Sequence, residues 1–173
     1  MAPKKHPATR KMPTKGARVA IVRARWNEDV TLALERGATL RAAEAGAAVD
    51  IFEVAGSFEL PAAVALLAET GRYDAIVPIG CLVRGETPHF EVLAHAVARG
   101  LMDLSTAYPI AIPFAVLTCD TIEQALARAG GSEGNKGEES MDAALEMVEL
   151  RQALASKAAR SRPRKRAPAR STR

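Results

Sequence analysis

A tryptophan, a glutamate, a histidine, an arginine and a lysine interrupt a chain otherwise rich in Ala, Val and Leu. Each stands close to an apolar run, and all but the tryptophan lie in a Gly-, Pro- or Thr-marked segment. Trp26, the only tryptophan, follows Arg18-Val-Ala-Ile-Val-Arg23. Glu59 lies in Ala55-Gly-Ser-Phe-Glu-Leu-Pro61, and His89 in Gly80-Cys-Leu-Val-Arg-Gly-Glu-Thr-Pro-His-Phe90. Arg128 precedes Gly130-Gly131, and Lys136 lies within Gly134-Asn-Lys-Gly137. An indole offers a plate on which a planar heterocycle stacks, and a nearby carboxylate accepts hydrogen bonds from its substituents. Thr87 and the N–H groups of a helix starting there form a seat for phosphate, which a guanidinium clamps bidentately. An imidazole in the first helical turn suits proton transfer near neutrality.

Each residue also has a plainer reading. A lone tryptophan is most often packing, and that reading starts ahead. A glutamate before an apolar helix is often only a favourable charge at its N-terminus. Gly-Glu-Thr-Pro alone is a helix start, Arg128 alone a solvated face, and Gly134–Gly137 alone a turn. His95 reads as an ordinary helix residue. The chemical reading gains force only if one architecture brings these segments together.

The elements that must position them alternate. Short apolar runs predict strands at 18–23, 49–54, 75–80 and 110–117, with Pro78 and Pro113 unwelcome in the last two. Helices are expected over 28–44 (Asn27 as N-cap, Gly46 past the end), 60–70 and 87–105 (Thr87 as N-cap, Pro88 first in the helix). A short helix opens at Thr121 with Gln124 at capping-box spacing and runs to Ala129, and a last one covers 137–155. This alternation predicts an α/β domain, a parallel sheet with helices on both faces and right-handed crossovers. Ligands in such sheets bind beyond the carboxyl ends of the strands, where the unusual residues fall.

Composition sets the limits. The 173 residues, 48% hydrophobic, suit one domain with a full core. No apolar run reaches membrane-span length, and the basic start lacks the apolar stretch of a secretory signal, so a cytoplasmic protein without a membrane association is expected. Cys81 and Cys119 then read as buried thiols, with no disulfide. No ligand cluster has metal spacing, and neither a Gly-x-Gly-x-x-Gly nor a Walker-type loop is present, so no metal and no dinucleotide or ATP is expected. Thirteen of the 24 basic residues sit in 1–16 and 156–173, which hold no acid. The eleven that remain face all 20 acids, a net of −9. The expected organisation is a flexible basic arm (1–16), a folded acidic domain (17–155) and a disordered basic tail (156–173). An acidic fold is a poor nucleic-acid binder, which leaves only weak non-specific binding to the tails.

Together, Val54-Ala-Gly-Ser-Phe-Glu-Leu-Pro61, Gly80–Phe90, Pro113-Phe-Ala-Val-Leu-Thr118, Glu123-Gln-Ala-Leu-Ala-Arg-Ala-Gly130 and Gly134-Asn-Lys-Gly137 resemble the lumazine synthase family of riboflavin biosynthesis, in order and spacing, over about residues 17–155. The resemblance implies a flavodoxin-like three-layer sandwich with a four-stranded parallel sheet. It implies condensation of 5-amino-6-(D-ribitylamino)uracil with 3,4-dihydroxy-2-butanone 4-phosphate, without cofactor or metal. It also implies a homo-oligomer, a pentamer or a larger shell of pentamers, with riboflavin synthase as a candidate partner. By the same resemblance, Trp26 stacks on the pyrimidine. Ser57, Phe58 and Glu59 hold the ring and ribityl chain, and Cys81, Leu82 and Val83 supply backbone contacts. Glu86, Thr87, Arg128 and Lys136 serve the phosphate, His89 transfers protons, and Phe114 reaches the neighbouring subunit's site. Three departures stand out: Trp26 where the family usually has Phe, Ala55 where Pro is usual, and Ala115 for a common Gly. None removes a chemical group.

Two other readings compete. Lys136 could be the Schiff-base lysine of a small aldolase, which requires a desolvated amine. Alternatively, the chain could be a non-catalytic flavin- or lumazine-binding shell protein whose basic tails hold polyanions.

Overall fold

The computed structural model of the chain describes residues 16–161, with side chains up to Ala158, so most of the expected basic arm and the tail from 162 onward lie outside the described residues. Strand β1 (Arg18–Ala24) leads through α1 (Glu28–Ala45) to β2 (Ala48–Val54). A single 3-10 turn (Ser57–Glu59) then opens α2 (Leu60–Glu69), followed by β3 (Ala75–Val83), α3 (His89–Ala107), β4 (Ala115–Cys119) and α4 (Ile122–Ala127). A small antiparallel pair, β5 (Ala129–Gly131) and β6 (Gly134–Asn135), turns the chain into α5 (Lys136–Ser161). The four long strands form one parallel sheet in the order β2-β1-β3-β4.

Side chains alternate across a strand, and that alternation builds two cores. Val19 and Ile21 of β1, with Val77 and Ile79 of β3, meet Val30 and Leu34 of α1 and Met141 and Leu145 of α5. Ala20, Val22 and Ile76 face the other way, onto Leu60 and Val64 of α2 and Val97 and Leu101 of α3. The result is three layers: α1, α4 and α5, then the sheet, then α2 and α3. This is the α/β flavodoxin-like sandwich that the sequence predicts. Because β1 and β3 bear apolar residues on both faces, they read as unbroken apolar runs. No described helix is long and apolar enough to cross a membrane.

The two prolines have different outcomes. Ile76 donates its N–H to Ala111 O at 2.8 Å, so Pro78, two residues on, faces the same neighbour. There the partner stretch 112–114 leaves the ladder, which resumes at Ile79↔Ala115, and the missing N–H costs nothing. Pro113 does break its strand. Only an isolated bridge at Ala111 survives from the first half of the expected 110–117 run, and β4 begins at Ala115.

Two expected caps are corrected. Asn27 does precede α1, but in the left-handed region (φ 57°) and with no side-chain cap; Asn tolerates that region better than most residues. Thr87 does not cap α3, which starts at His89 with Pro88 in the capping position. The Thr121 cap holds, its hydroxyl accepting from Gln124 N at 3.4 Å. Gly46 closes α1 in the left-handed conformation (φ 73°). Finally, α5 runs on to Ser161 rather than ending at Ala155. Ala153, Ala155 and Ala158 are strong helix formers, and Lys157 sits favourably at a helix C-terminus.

Candidate active site

In a parallel sheet every strand points the same way, so the segments after Ala24, Val54, Val83 and Cys119 share one edge. The order 2-1-3-4 reverses direction between β1 and β3, which opens the crevice where ligands of such folds bind. Backbone bonds continue past the strands and hold the loops together. Arg25 N donates to Val54 O (3.0 Å), Trp26 N to Ala55 O (3.3 Å) and Arg84 N to Cys119 O (2.9 Å). The amide of Asn27, freed from capping, crosses the crevice and donates to Cys81 O at 2.9 Å. That bond takes up one lone pair of a carbonyl in the Cys81–Val83 segment.

Trp26 is 72% exposed, which rules out buried packing within the chain. A side chain at Gly56 would lie 3.4 Å from the Trp26 ring, so the glycine lets the second loop pass close beside the indole. Glu59 reaches back, its Oε2 accepting from Gly56 N at 2.9 Å, and thereby rigidifies the loop that bears Ser57 and Phe58. Phe58 is exposed. Ser57 is buried, its Oγ without a hydrogen-bond partner and packed over Gly80, where a Cβ would come within 2.6 Å of it. The absence of a side chain at Gly80 is what admits Ser57 beneath the loop. Arg25, Trp26, Asn27 and Ala55 line a cleft of about 330 Å³. Trp26, Ser57, Phe58, Glu59 and Cys81–Val83 are thus brought together.

Arg128, Lys136 and Phe114 belong to a different cleft, about 470 Å³, along the open edge of β4, with Thr118, Cys119, Glu139 and Ser140 also in its wall. Arg128 spends one bond on Gln124 O (3.0 Å), and Lys136 N donates to Arg128 O (2.8 Å), which locks the spacing of the two cations. Lys136 Nζ bonds both carboxylate oxygens of Glu139 at 2.7 Å. This pairing ties the Lys136 nitrogen to a carboxylate, whereas a Schiff-base lysine needs a desolvated amine free to reach a carbonyl. Glu86 and Thr87, on the segment between β3 and α3, and His89, the first residue of α3, are exposed.

Two residues that sequence reasoning gave no role of their own, Arg84 and Asn135, and one that it read as a cap, Asn27, shape the site. Arg84 ties the β3–α3 segment to Asp120 and Glu91. Asn27 works as a tether rather than a cap. Asn135 caps α5, its Oδ1 accepting from Gly137 N (2.9 Å) and Glu138 N (3.3 Å). The local signal of an Asn standing just before a helix marks the true role at Asn135 and misleads at Asn27. Burial pushes the Cys81 thiol up to about 12, with Cys119 adding to the effect, so neither buried cysteine is primed as a nucleophile. Among the described residues, no group of His, Cys, Asp and Glu gathers as a metal ion would need.

Fold and site therefore define a flavodoxin-like α/β protein with an aromatic, carboxylate-bearing crevice at the carboxyl edge of its sheet and a cationic cleft on the adjacent open edge. Residues 16–152 match the family model described as 6,7-dimethyl-8-ribityllumazine synthase. A protein of that name from Gemmatimonas aurantiaca is 44% identical over 138 residues, 78% of this chain and 84% of the relative. One from Methylorubrum extorquens is 41% identical over 157 residues (88% and 91%), and one from Anaeromyxobacter dehalogenans 43% over 148 (84% and 91%). The chain belongs to the 6,7-dimethyl-8-ribityllumazine synthase family.

Proposed function

We propose that this chain condenses 5-amino-6-(D-ribitylamino)uracil with 3,4-dihydroxy-2-butanone 4-phosphate to 6,7-dimethyl-8-ribityllumazine, releasing phosphate and water, the penultimate step of riboflavin biosynthesis. The observation that carries this reading is the exposed Trp26 plate beside the Ser57–Glu59 turn, in a chain matching the family model from residue 16 to 152. Trp26 stacks on the pyrimidine, and Ser57, Phe58, Glu59 and the Cys81, Leu82 and Val83 backbone hold the ring and its ribityl chain. Glu86 and Thr87 form the phosphate segment with Arg128 and Lys136, and His89 moves the protons.

The pyrimidine amine attacks the ketone and an imine forms with loss of water. Elimination then expels phosphate into the cationic seat, and the second amine closes the ring with loss of another water. None of these steps calls for a cofactor. Holding the two reactants together supplies up to about 7–11 kcal/mol of the barrier reduction.

The separation of the two clefts supports an oligomeric site. Phe114, Arg128 and Lys136 along the free β4 edge complete the crevice of a neighbouring copy, so one chain carries two half-sites. Exposed apolar side chains such as Leu66, Val92 and Met102 offer the buried surface such an assembly needs. The assembly we propose is a homopentamer, with a larger shell of pentamers as the alternative, in the cytoplasm, its product passing to riboflavin synthase. Residues 17–155 are the catalytic domain; the basic arm and tail stand outside catalysis and bind nucleic acid weakly and without specificity.

The test is direct. Purified chain supplied with both substrates forms the lumazine chromophore and free phosphate in equal amounts, and light scattering gives a mass of five chains or a multiple of five. Absence of turnover in a folded assembly would sink the proposal in favour of a binding-only protein.

A further inference from the structure

The segment from Gly85 to His89, on which phosphate binding and proton transfer depend in the proposed reaction, has little of its own to hold it in place. Every residue in it is exposed, and no side chain caps the helix that follows. What holds it is Arg84. The Arg84 N–H donates to Cys119 O at 2.9 Å, a last link between the ends of β3 and β4. Its guanidinium Nε donates to Asp120 Oδ1 at 2.6 Å, a second nitrogen pairs with the Glu91 carboxylate, and the group lies over the Phe90 ring, 4.5 Å from its centre. One side chain thus closes the segment from the residue just before it to a point two residues beyond His89, and ties both ends to the terminus of β4. The planar fork reaches two carboxylates and an aromatic face at once, which an ammonium on a flexible stem does not.

We propose that Arg84 is the positioning residue of the phosphate segment: it sets Thr87 and His89 against the substrate phosphate without touching it, its Nε and one terminal nitrogen being held by the Asp120 and Glu91 carboxylates. This rests on the functional reading above. The competing explanation is that Arg84 simply adds positive charge near an anion, and Glu91 separates the two. Glu91→Ala removes a negative charge, so a purely electrostatic role forecasts tighter phosphate binding, whereas loss of the clamp forecasts weaker binding. Arg84→Lys keeps the charge and loses the fork.

The experiment compares the wild type, Arg84→Lys, Arg84→Met and Glu91→Ala as assembled proteins, with folding checked by circular dichroism and assembly by light scattering. Inorganic phosphate serves as a competitive inhibitor, KM is measured for the phosphorylated ketone, and pyrimidine affinity is read from Trp26 emission. The expected result is that all three variants weaken phosphate inhibition and lose about 10- to 100-fold in kcat/KM for the phosphorylated ketone, the scale on which small misplacements act. Pyrimidine affinity stays within about twofold, a split that general destabilisation would not produce. Tighter phosphate binding in Glu91→Ala, full activity in Arg84→Lys, or equal damage to both substrates overturns the proposal. A wild type that makes no lumazine overturns the functional reading itself, whereas an active wild type with indifferent variants overturns only the role of Arg84.

Discussion

Replacing Trp26 by alanine tests the placement of the pyrimidine. With 72% of its surface open, the indole contributes little packing within the chain, so its loss changes stability by no more than about 0.5 kcal/mol. As a stacking plate it is worth much more to a bound heterocycle. Loss of stacking between a base and an aromatic side chain costs about 1–3 kcal/mol, which corresponds to about 5- to 150-fold weaker pyrimidine binding. Trp26→Phe, with a smaller plate, keeps most of that affinity. Because Trp26 is the only tryptophan, its emission reports the site alone. Titration with the ribitylaminopyrimidine, corrected for the ligand's own absorption, changes the emission saturably, and the Trp26→Phe protein gives its affinity by calorimetry. Emission indifferent to ligand, or an alanine variant that loses stability while keeping affinity, would refute both the stacking role and the assignment of the first loop.

Two further predictions concern groups deeper in the chain. Arg128→Ala, through loss of charge-assisted hydrogen bonds worth about 1.5–3 kcal/mol, lowers kcat/KM for the phosphorylated ketone tenfold or more and leaves pyrimidine affinity nearly unchanged; equal damage to both would mark a folding or interface role instead. The Cys81 thiol, held up to about 12 against an ordinary value of 9.0, keeps its proton in the folded chain while the unfolded chain loses it. Unfolding then releases a proton, so stability falls as pH rises from about 9 toward 12, by at most about 1.4 kcal/mol per pH unit from this group. Denaturant midpoints compared across that range drop more steeply for wild type than for Cys81→Ala, and parallel curves would show that burial does not hold the proton.

What could be read from the sequence was what is local. Apolar runs bounded by glycine and proline located the strands, and periodicity with Gly46 placed the first helix, because burial on two faces and a left-handed helix end each leave a mark in the residues themselves. Contacts between distant residues left none. Nothing in the spacing says that Pro78 faces a gap while Pro113 makes one, since that depends on which side of β3 carries the neighbour. Asn27 reads as a cap until Cys81 O, 54 residues away, is placed within its reach. Arg84 meets Asp120 across 36 residues, so a clamp looked like one more residue of a motif. The motif residues were identified together, yet only the folded chain separates the crevice holding Trp26 from the cleft holding Arg128.

The turn Gly134-Asn-Lys-Gly137 shows how packing and chemistry meet, and Gly137→Ala exposes the link. A Cβ at Gly137 would overlap the backbone carbonyl of Leu34 in α1, and one at Gly37 would overlap the Asn135 side chain. The glycines therefore let α5 begin directly against α1, where Asn135 Nδ2 donates to Ala33 O at 2.9 Å while Oδ1 caps α5. The obstacle at Gly137 is backbone rather than a flexible side-chain tip, so the added methyl must push the two helices apart, at the upper end of overpacking costs, about 3 kcal/mol. For a chain of this size that lowers Tm by about 6–12 °C. The displacement also reaches the cationic cleft, because Lys136 precedes Gly137 directly and its N–H is bonded to Arg128 O. Gly137→Ala should accordingly impair use of the phosphorylated ketone even in the fraction that stays folded, while Trp26, on the far side of β1, still senses the pyrimidine. Asn135→Ala, which removes a cap without adding bulk, costs only about 1–2 kcal/mol and shifts Tm less. A Gly137→Ala protein with unchanged Tm would mean that α1 and α5 do not meet as closely as the fold requires, and the joint placement of Arg128 and Lys136 would lose its support.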